Sequence, residues 1–70
     1  MYVISYRPFR VLIAERNIEI TQLAKDLGIS PNTAAKLNAK KEENEPVSLK
    51  IIEKLCNHLG VPVEKIIEIK

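Results

Sequence analysis

The stretch of residues 20–39 constrains the fold of this 70-residue chain more than any other part of the sequence. It contains two short amphipathic segments joined by Gly28, Ile29 and Ser30. Glycine adopts the positive φ at which many helices end, so Gly28 predicts the end of the first segment. Ser30 predicts the N-cap of a second helix, with Pro31 in the first helical position, where a missing N–H costs little. Two helices with such a joint predict a helix-turn-helix over residues 20–39.

The apolar residues on both sides of this turn recur at helical spacing, which predicts one buried face. Ile29 is apolar within a turn, so we expect it to point inward and to hold the two helices together. The residues expected on the buried face are Leu23, Leu27, Ala34 and Leu37.

A further helix is predicted before this unit, from about Pro8 to Arg16. Asn17 follows it and tolerates the left-handed conformation that ends a helix, after which Ile18 packs back over the helix end. The expected inward residues are Phe9, Leu12 and Ile13, and the residues expected in solvent are Arg7, Arg10, Glu15 and Arg16.

Two more helices are predicted after the helix-turn-helix. Ser48 predicts the N-cap of a fourth helix, which Gly60 ends. Pro62 predicts the start of a fifth, short helix through Ile67. The fourth helix is expected to bury a stripe of Leu49, Ile52, Leu55, Cys56 and Leu59, and the fifth to bury Val63, Ile66 or Ile67.

The two ends of the chain and the segment of residues 40–46 are the parts without helical periodicity. Residues 2–6 alternate in the manner of a strand, with Tyr2, Ile4 and Tyr6 on one face. A lone short strand is not stable, so we expect it to pair with the apolar tail of residues 66–69, within one chain or between two chains. The alternative is a loosely docked arm. Residues 40–46 are charged and lack apolar side chains, which predicts an exposed and mobile loop.

The pattern Leu-Ala-x-x-x-Gly-Ile-Ser, followed by a short helix ending in Lys-Leu-Asn, resembles the DNA-binding domain of Cro and the phage-repressor-like transcription regulators. The resemblance covers most of the chain and is greatest to a short, single-domain branch of that family. The matching segments outside the helix-turn-helix are Ile4-Ser5-Tyr6, Val47-Ser48-Leu49, residues 52–56 and residues 66–69. It implies an all-α, compact five-helix domain over residues 1–70, to which a small β-pairing of the N- and C-terminal ends can be added.

The resemblance also implies which side chains meet DNA, because the start of the second helix of this motif enters the major groove. The Asn32 amide can pair with adenine, the Lys36 ammonium can donate to guanine O6 or N7, and the Thr33 methyl can contact thymine. Pro31 has no donor and can offer only an apolar contact. Each of these residues, taken alone, can equally be an ordinary helix residue in solvent. The expected base contacts are Ser30, Pro31, Asn32, Thr33 and Lys36, and the expected phosphate contacts are Thr21, Gln22, Asn38, Lys40 and Lys41.

Other classes of function find little support in the composition. One cysteine forms no internal disulfide, which fits a reducing cytoplasm, and Cys56 and His58 stand two apart on a predicted helix, where they face different directions and suggest no metal site. We therefore interpret Cys56 as a core residue and His58 as a surface residue. The lone histidine has no evident catalytic partner and no glycine-rich phosphate loop is present, so we expect neither an enzyme nor a cofactor. No apolar run approaches the ~18 residues of a membrane span.

The sequence thus predicts a cytoplasmic, sequence-specific DNA-binding transcriptional regulator, a repressor that occupies its operator on double-stranded DNA. A chain this small offers few base contacts, so we expect a homodimer on two half-sites. The residues expected at the dimer interface are Tyr2, Ile4, Tyr6, Ile67 and Ile69, each of which can equally be ordinary core. The alternative is a protein-interaction module on the same fold, such as an antitoxin or a phage modulator. The net charge of only +2 and the acidic Glu42, Glu43 and Glu45 favour that alternative. Glu19, before the second helix, is a poor cap and would repel phosphate if it faced the DNA backbone.

Overall fold

The structure, a computed structural model, describes residues 2–41 and 44–70, and within them the chain forms four α-helices, one turn of 3-10 helix and two short strands. In chain order these are β1 (Ile4–Ser5), α1 (Arg7–Glu15), α2 (Ile20–Leu27), α3 (Pro31–Asn38), α4 (Leu49–Leu59), the 3-10 helix (Val63–Lys65) and β2 (Glu68–Ile69). The expectations for Glu42 and Glu43 lie outside the described residues.

The turn between α2 and α3 has the conformation that its residues predict. Gly28 has a φ of 68°, and the N–H of Ile29 donates to the Ala24 carbonyl oxygen at 2.8 Å, which closes the end of α2. Ile29 is buried. Ser30 caps α3 by accepting a hydrogen bond from the Thr33 N–H at 3.3 Å, and Pro31 is the first residue of that helix.

The two ends of the chain pair with each other in one antiparallel ribbon. Ile4 lies opposite Ile69 and Ser5 opposite Glu68. Val3 and Lys70 extend the ladder, since each N–H donates to the carbonyl oxygen of the other at 2.8 and 2.9 Å. The strand pairing is therefore made within one chain, and the alternative of a loosely docked arm is wrong.

One apolar core lies between the helices and the ribbon. Asn17, with a φ of 55°, ends α1 as predicted, and the N–H of Ile18 returns to the Ile13 carbonyl oxygen. The buried apolar residues are Tyr6, Phe9, Ile13, Leu23, Ala24, Ile29, Leu37, Ile52, Leu55, Leu59 and Ile66.

Two expectations about the C-terminal half need correction. Leu49 is 84% exposed, because the Ser48 cap makes it the first residue of α4, before the helix reaches the core at Ile52. The predicted fifth α-helix is one 3-10 turn, because residues 68 and 69 are drawn into β2 and leave too little chain for a longer helix. Val63 consequently stays 49% exposed, while Ile66 fills the core.

Two further corrections concern residues expected on the surface or at an interface. Tyr6 is 1% exposed within its own chain, so a second protomer cannot reach its side chain. Asn44, expected in a mobile loop, is 3% exposed, because its side chain is hydrogen-bonded to three other parts of the chain. None of the helices in the described residues is both long and apolar enough to cross a bilayer.

Candidate nucleic-acid interface

Leu37 is the one fully buried residue of the eight in helix α3. Pro31, Asn32 and Asn38 are exposed, and Lys36 is half-buried one turn after Asn32. Ala34 packs against the core beside Leu37, and the exposed residues leave one face of the helix open to solvent, as an element that enters a groove of DNA requires.

The first turn of α3 contains polar side chains in two different states. The Ser30 hydroxyl donates to the Thr33 hydroxyl oxygen at 3.0 Å while accepting from the Thr33 N–H, so these two side chains hold each other. Asn32 is exposed and makes no side-chain hydrogen bond to another described residue. The amide of Asn32 can therefore bind an external partner without breaking an internal hydrogen bond. Ser30 and Thr33, by contrast, form the hydrogen bonds that cap the start of the helix.

The C-terminal half of α3 faces a cleft of about 350 Å³ that also contains lysines. Asn32, Lys36, Lys41 and Glu45 line this cleft together, so two ammonium groups face one carboxylate. Within residues 2–41 and 44–70 the single ion pair joins Lys70 to Glu68 at 3.8 Å, so no described carboxylate pairs with Lys36 or Lys41. The cleft thus combines one amide and two ammonium groups, which are the donors that base edges and phosphates accept.

The predicted phosphate contacts on α2 fall into two groups. Thr21 lines a groove of about 410 Å³ between α2 and α3 with Asn38, so the structure brings these two predicted residues together. The floor of the groove is apolar, formed by Ile20, Ala24, Ile29, Ala34 and Ala35 among others. Gln22 is separate from this pair, because its Nε2 donates to the Asp26 carboxylate at 3.0 Å.

A second basic cleft, of about 630 Å³, lies where α1, the start of α2 and the end of α3 meet. Lys40 and Asn38 line it, as predicted phosphate contacts, together with Arg7 and Arg10, which were expected only in solvent. Glu19 also lines it and lowers its positive potential. Five of its ten lining residues are apolar, and the charges are three cations against one carboxylate, so the charge balance of the cleft favours an anion.

The exit from α3 is held by residues that sequence reasoning missed. The Ala39 carbonyl oxygen accepts hydrogen bonds from Arg10 Nη1 at 2.8 Å, from Asn44 Nδ2 at 2.8 Å and from the Lys41 N–H at 3.0 Å. Arg10 is half-buried, which corrects the expectation that it lies in solvent. The only sequence signal at Asn44 is an uncharged amide within an acidic run, and nothing local in the sequence connects it to Arg10.

Among the residues that the structure describes, Tyr6 is the one group whose pKa is clearly shifted by its environment. Burial raises the pKa of the Tyr6 hydroxyl above its ordinary value of 10.0, against a smaller opposing effect of the hydrogen bond from Val47. That hydroxyl donates to the Glu45 carbonyl oxygen at 2.7 Å and accepts from the Val47 N–H at 3.0 Å. The backbone of residues 45–47 is therefore hydrogen-bonded to the core through Tyr6.

The remaining candidate residues are distributed over the surface and the core. Tyr2 is 83% and Ile69 59% exposed, while Ile4 and Ile67 are half-buried against the core. Cys56 is a free thiol packed against the core, and His58 is exposed, as the sequence indicates. Among the described residues, no three metal-binding side chains are grouped.

Comparisons with known proteins extend the description beyond geometry. A family model described as the Cro/C1-type HTH DNA-binding domain matches residues 9–70. A solved structure, that of the transcriptional regulator VanUg in its form II, is similar with a TM-score of 0.85 and 30% sequence identity. That match covers 99% of this chain and 87% of the VanUg chain. No curated protein matches the sequence.

Proposed function

This chain belongs to the Cro/C1-type helix-turn-helix DNA-binding family, and from that membership we propose that it is a sequence-specific repressor that reads the major groove with α3. Base discrimination is assigned to Asn32 and Lys36, with Thr33 and Pro31 offering apolar contacts to bases. Ser30 serves mainly as the cap that orients this first turn. The phosphate backbone is held by Thr21, Asn38, Lys40 and Lys41.

The observation that carries this proposal is the exposed amide of Asn32 on a helix whose only fully buried residue is Leu37. Lys36 and Lys41 share a cleft with Asn32, so a base contact and a phosphate contact can be made side by side. Gln22 is omitted from the proposed contacts because its amide is already bonded to Asp26.

A homodimer is part of the proposal, since one copy of α3 covers only a few base pairs. Two-fold dimers of helix-turn-helix domains bind half-sites about one turn of DNA apart. Tyr2, Ile4, Ile67 and Ile69 remain the proposed interface, with Tyr6 removed because it lies in the core. Repression then follows from occupancy, because a protein bound to its operator excludes polymerase from the same DNA.

The test of sequence reading is selection of bound fragments from a random pool of genomic DNA, followed by sequencing. We expect the wild-type chain to enrich one motif with two-fold symmetry. The Asn32→Ala, Lys36→Ala double variant should fold normally and retain fragments without enriching that motif, because each good base contact contributes about 1–3 kcal/mol of discrimination. Leu49→Ala, which changes an exposed residue of α4, is the matched control and should select as the wild type does. An identical motif from the double variant would remove Asn32 and Lys36 as the base-reading residues.

The dimer is tested by sedimentation of the protein at increasing concentration. Ile69→Asp should shift the equilibrium to the monomer, because it places a charge on an exposed apolar residue of β2. Leu49→Asp, equally a charge on an exposed leucine but outside the proposed interface, should leave the equilibrium unchanged. A dimer that tolerates Ile69→Asp and is lost with Leu49→Asp would place the interface on α4.

The alternative, a module that binds a protein through the same surface, is favoured by the apolar floor of the groove between α2 and α3. Salt separates the two functions. DNA affinity should fall steeply with salt through counterion release, whereas binding in an apolar groove should not.

A further inference from the structure

The direction in which the chain leaves α3 is set at one atom, the carbonyl oxygen of Ala39. Helix α3 ends at Asn38, and Ala39 has extended backbone angles, with φ −68° and ψ 123°. Lys40 and Lys41 follow immediately and are both exposed. Any group that holds the Ala39 carbonyl therefore also fixes where the backbone of these two lysines begins.

Two side chains from outside the helix-turn-helix hold that carbonyl. Arg10 Nη1 reaches it from α1, and Asn44 Nδ2 reaches it from the segment before α4, each at 2.8 Å. The guanidinium is a charged donor, and hydrogen bonds from charged donors are stronger than neutral ones. Arg10 Nη1 also approaches Asn44 Oδ1 at 3.4 Å, so the two side chains support each other.

Asn44 is in turn fixed to the strand β1. Its Oδ1 accepts from the Tyr6 N–H at 3.0 Å, and its own N–H donates to the Ile4 carbonyl oxygen at 2.7 Å. With a side chain that is 3% exposed and bonded at both ends, Asn44 has one orientation available. The carbonyl of Ala39 is thus connected through Asn44 to β1 and through Arg10 to α1.

We propose that Arg10 and Asn44 are positioning residues for DNA binding: by holding the Ala39 carbonyl they keep Lys40 and Lys41 against the phosphate backbone. This inference rests on the proposed function. A lysine on an unfixed backbone loses more freedom when it binds a phosphate, so after release of the Ala39 carbonyl fewer of these phosphate contacts are made, although no DNA-binding side chain has changed. Each contact that is not made also releases no counterions, so the salt dependence of binding falls with it.

The assay measures the affinity for a mixed-sequence duplex of about 20 base pairs as a function of salt, because phosphate contacts are independent of sequence. Each phosphate contact contributes about 0.9 to the slope of log affinity against log salt. The Lys40→Ala, Lys41→Ala variant should therefore lose about 1.8 from the slope, which is an about 12-fold smaller fall in affinity between 50 and 200 mM salt. Asn44→Ala leaves the bonds from Arg10 Nη1 and the Lys41 N–H to the Ala39 carbonyl in place, so it should lose a measurable part of this 1.8 from the slope while both lysines are still present.

The decisive comparison is a double-mutant cycle, because a merely structural role would act equally in both backgrounds. In the Lys40→Ala, Lys41→Ala background, Asn44→Ala should have no further effect on the slope. Ser48→Ala, which removes the cap bond of α4 and no bond to Ala39, Arg10 or Asn44, changes no charge, so it is the control for general destabilisation and should leave the slope unchanged. Equal effects of Asn44→Ala in the two backgrounds would overturn the proposal.

Arg10→Met supplies a second route if Asn44→Ala does not fold, because it retains the apolar stem of the side chain and leaves the Asn44–Tyr6 bond intact. Its effect on the slope should also disappear in the double-lysine background, whereas an arginine that itself binds a phosphate would give equal effects in both backgrounds and overturn the proposal. A wild-type chain without salt-dependent affinity for the duplex would instead refute the proposed function. Normal wild-type binding with an unchanged slope in Lys40→Ala, Lys41→Ala would refute this inference and remove the two lysines from the phosphate contacts, while DNA binding by α3 would stand.

Discussion

Tyr6→Phe removes one oxygen atom from the core and with it two hydrogen bonds of 2.7 and 3.0 Å, to the Glu45 carbonyl and from the Val47 N–H. Each hydrogen bond contributes about 0.5–1.5 kcal/mol to folding, which gives about 1–3 kcal/mol for the pair. Glu45 is exposed and Val47 half-buried, so water can reach their backbone groups after the change. We therefore expect a loss of about 1–2 kcal/mol in the free energy of unfolding at neutral pH.

That loss is large for a chain of this size. A domain of 70 residues has a total free energy of unfolding of about 3.5–10 kcal/mol. A loss of 1 kcal/mol lowers the Tm of such a domain by about 4–8 °C. Urea unfolding followed by far-UV circular dichroism measures the change, which should appear in the midpoint and not in the slope m.

The pH dependence identifies the hydroxyl as the cause. Because burial raises the pKa of Tyr6 in the folded chain, the unfolded chain loses this proton first as the pH rises. The stability contributed by the hydroxyl is thus complete below the ordinary pKa of 10.0 and is lost as the pH rises through the higher folded value. The difference between wild type and Tyr6→Phe should accordingly shrink above about pH 10.

The control is Tyr2→Phe, the same change at a side chain that is 83% exposed, which should not alter the free energy of unfolding. A difference between wild type and Tyr6→Phe that stays constant or widens above about pH 10 would refute the reasoning, because phenylalanine does not titrate. A loss below about 0.5 kcal/mol at neutral pH would show that the hydroxyl has no net role.

Two matched pairs of substitutions test the ends of the helices. Ser30→Ala and Ser48→Ala each remove a cap bond of 3.3 Å and should each lower the free energy of unfolding by about 0.5–2 kcal/mol, but only Ser30→Ala should weaken DNA binding. Gel-shift titration beside urea unfolding checks both; equal DNA affinity for the two variants would contradict the proposed site. Gly28→Ala and Gly60→Ala meet no atom within 4 Å, so each should cost only the left-handed strain of about 1–2 kcal/mol. Urea unfolding measures this loss in the free energy of unfolding. A much larger loss for Gly28→Ala would contradict the open space around Gly28.

The helix-turn-helix could be predicted because each of its signals is local. The end of α2, the cap of α3 and the burial of Ile29 depend on residues within five positions of one another. A glycine at φ 68°, or a serine that accepts a hydrogen bond from the N–H three residues later, can be predicted without the rest of the chain. The strand pairing of the two ends was also predictable, since each end lacked any other apolar partner.

The support of the site could not be predicted because its contacts are remote in sequence. Asn44 is 38 residues from Tyr6, and Arg10 is 29 residues from Ala39. An asparagine within an acidic run is typical of an exposed loop, and only the folded chain shows that its amide replaces backbone partners that would otherwise be missing. The exposure of Leu49 could not be predicted for a related reason. Leu49 fits the apolar spacing of α4, but this first residue of the helix lies beyond the edge of the core.

The charge of the chain sets how much the lysines after α3 can contribute, and it links the two proposals to the dimer. Eleven basic and nine acidic residues leave a net charge of only +2, so attraction to DNA depends on where the charges lie. Glu15, Glu64 and Glu68 line a cleft between α1 and the 3-10 helix together with Arg7, Arg16 and Lys65, so the charges there are balanced. Two acids lie nearer the lysines that follow α3, since Glu19 lines one cleft with Lys40 and Glu45 another with Lys41. With Lys40 and Lys41 as its phosphate cations, a monomer would lose about 12-fold in affinity between 50 and 200 mM salt, and a dimer about 150-fold. A residue that positions these two lysines acts in both protomers of a dimeric complex. Loss of the bonds from Arg10 and Asn44 to the Ala39 carbonyl should therefore weaken the dimer on its operator more than loss of any single surface charge.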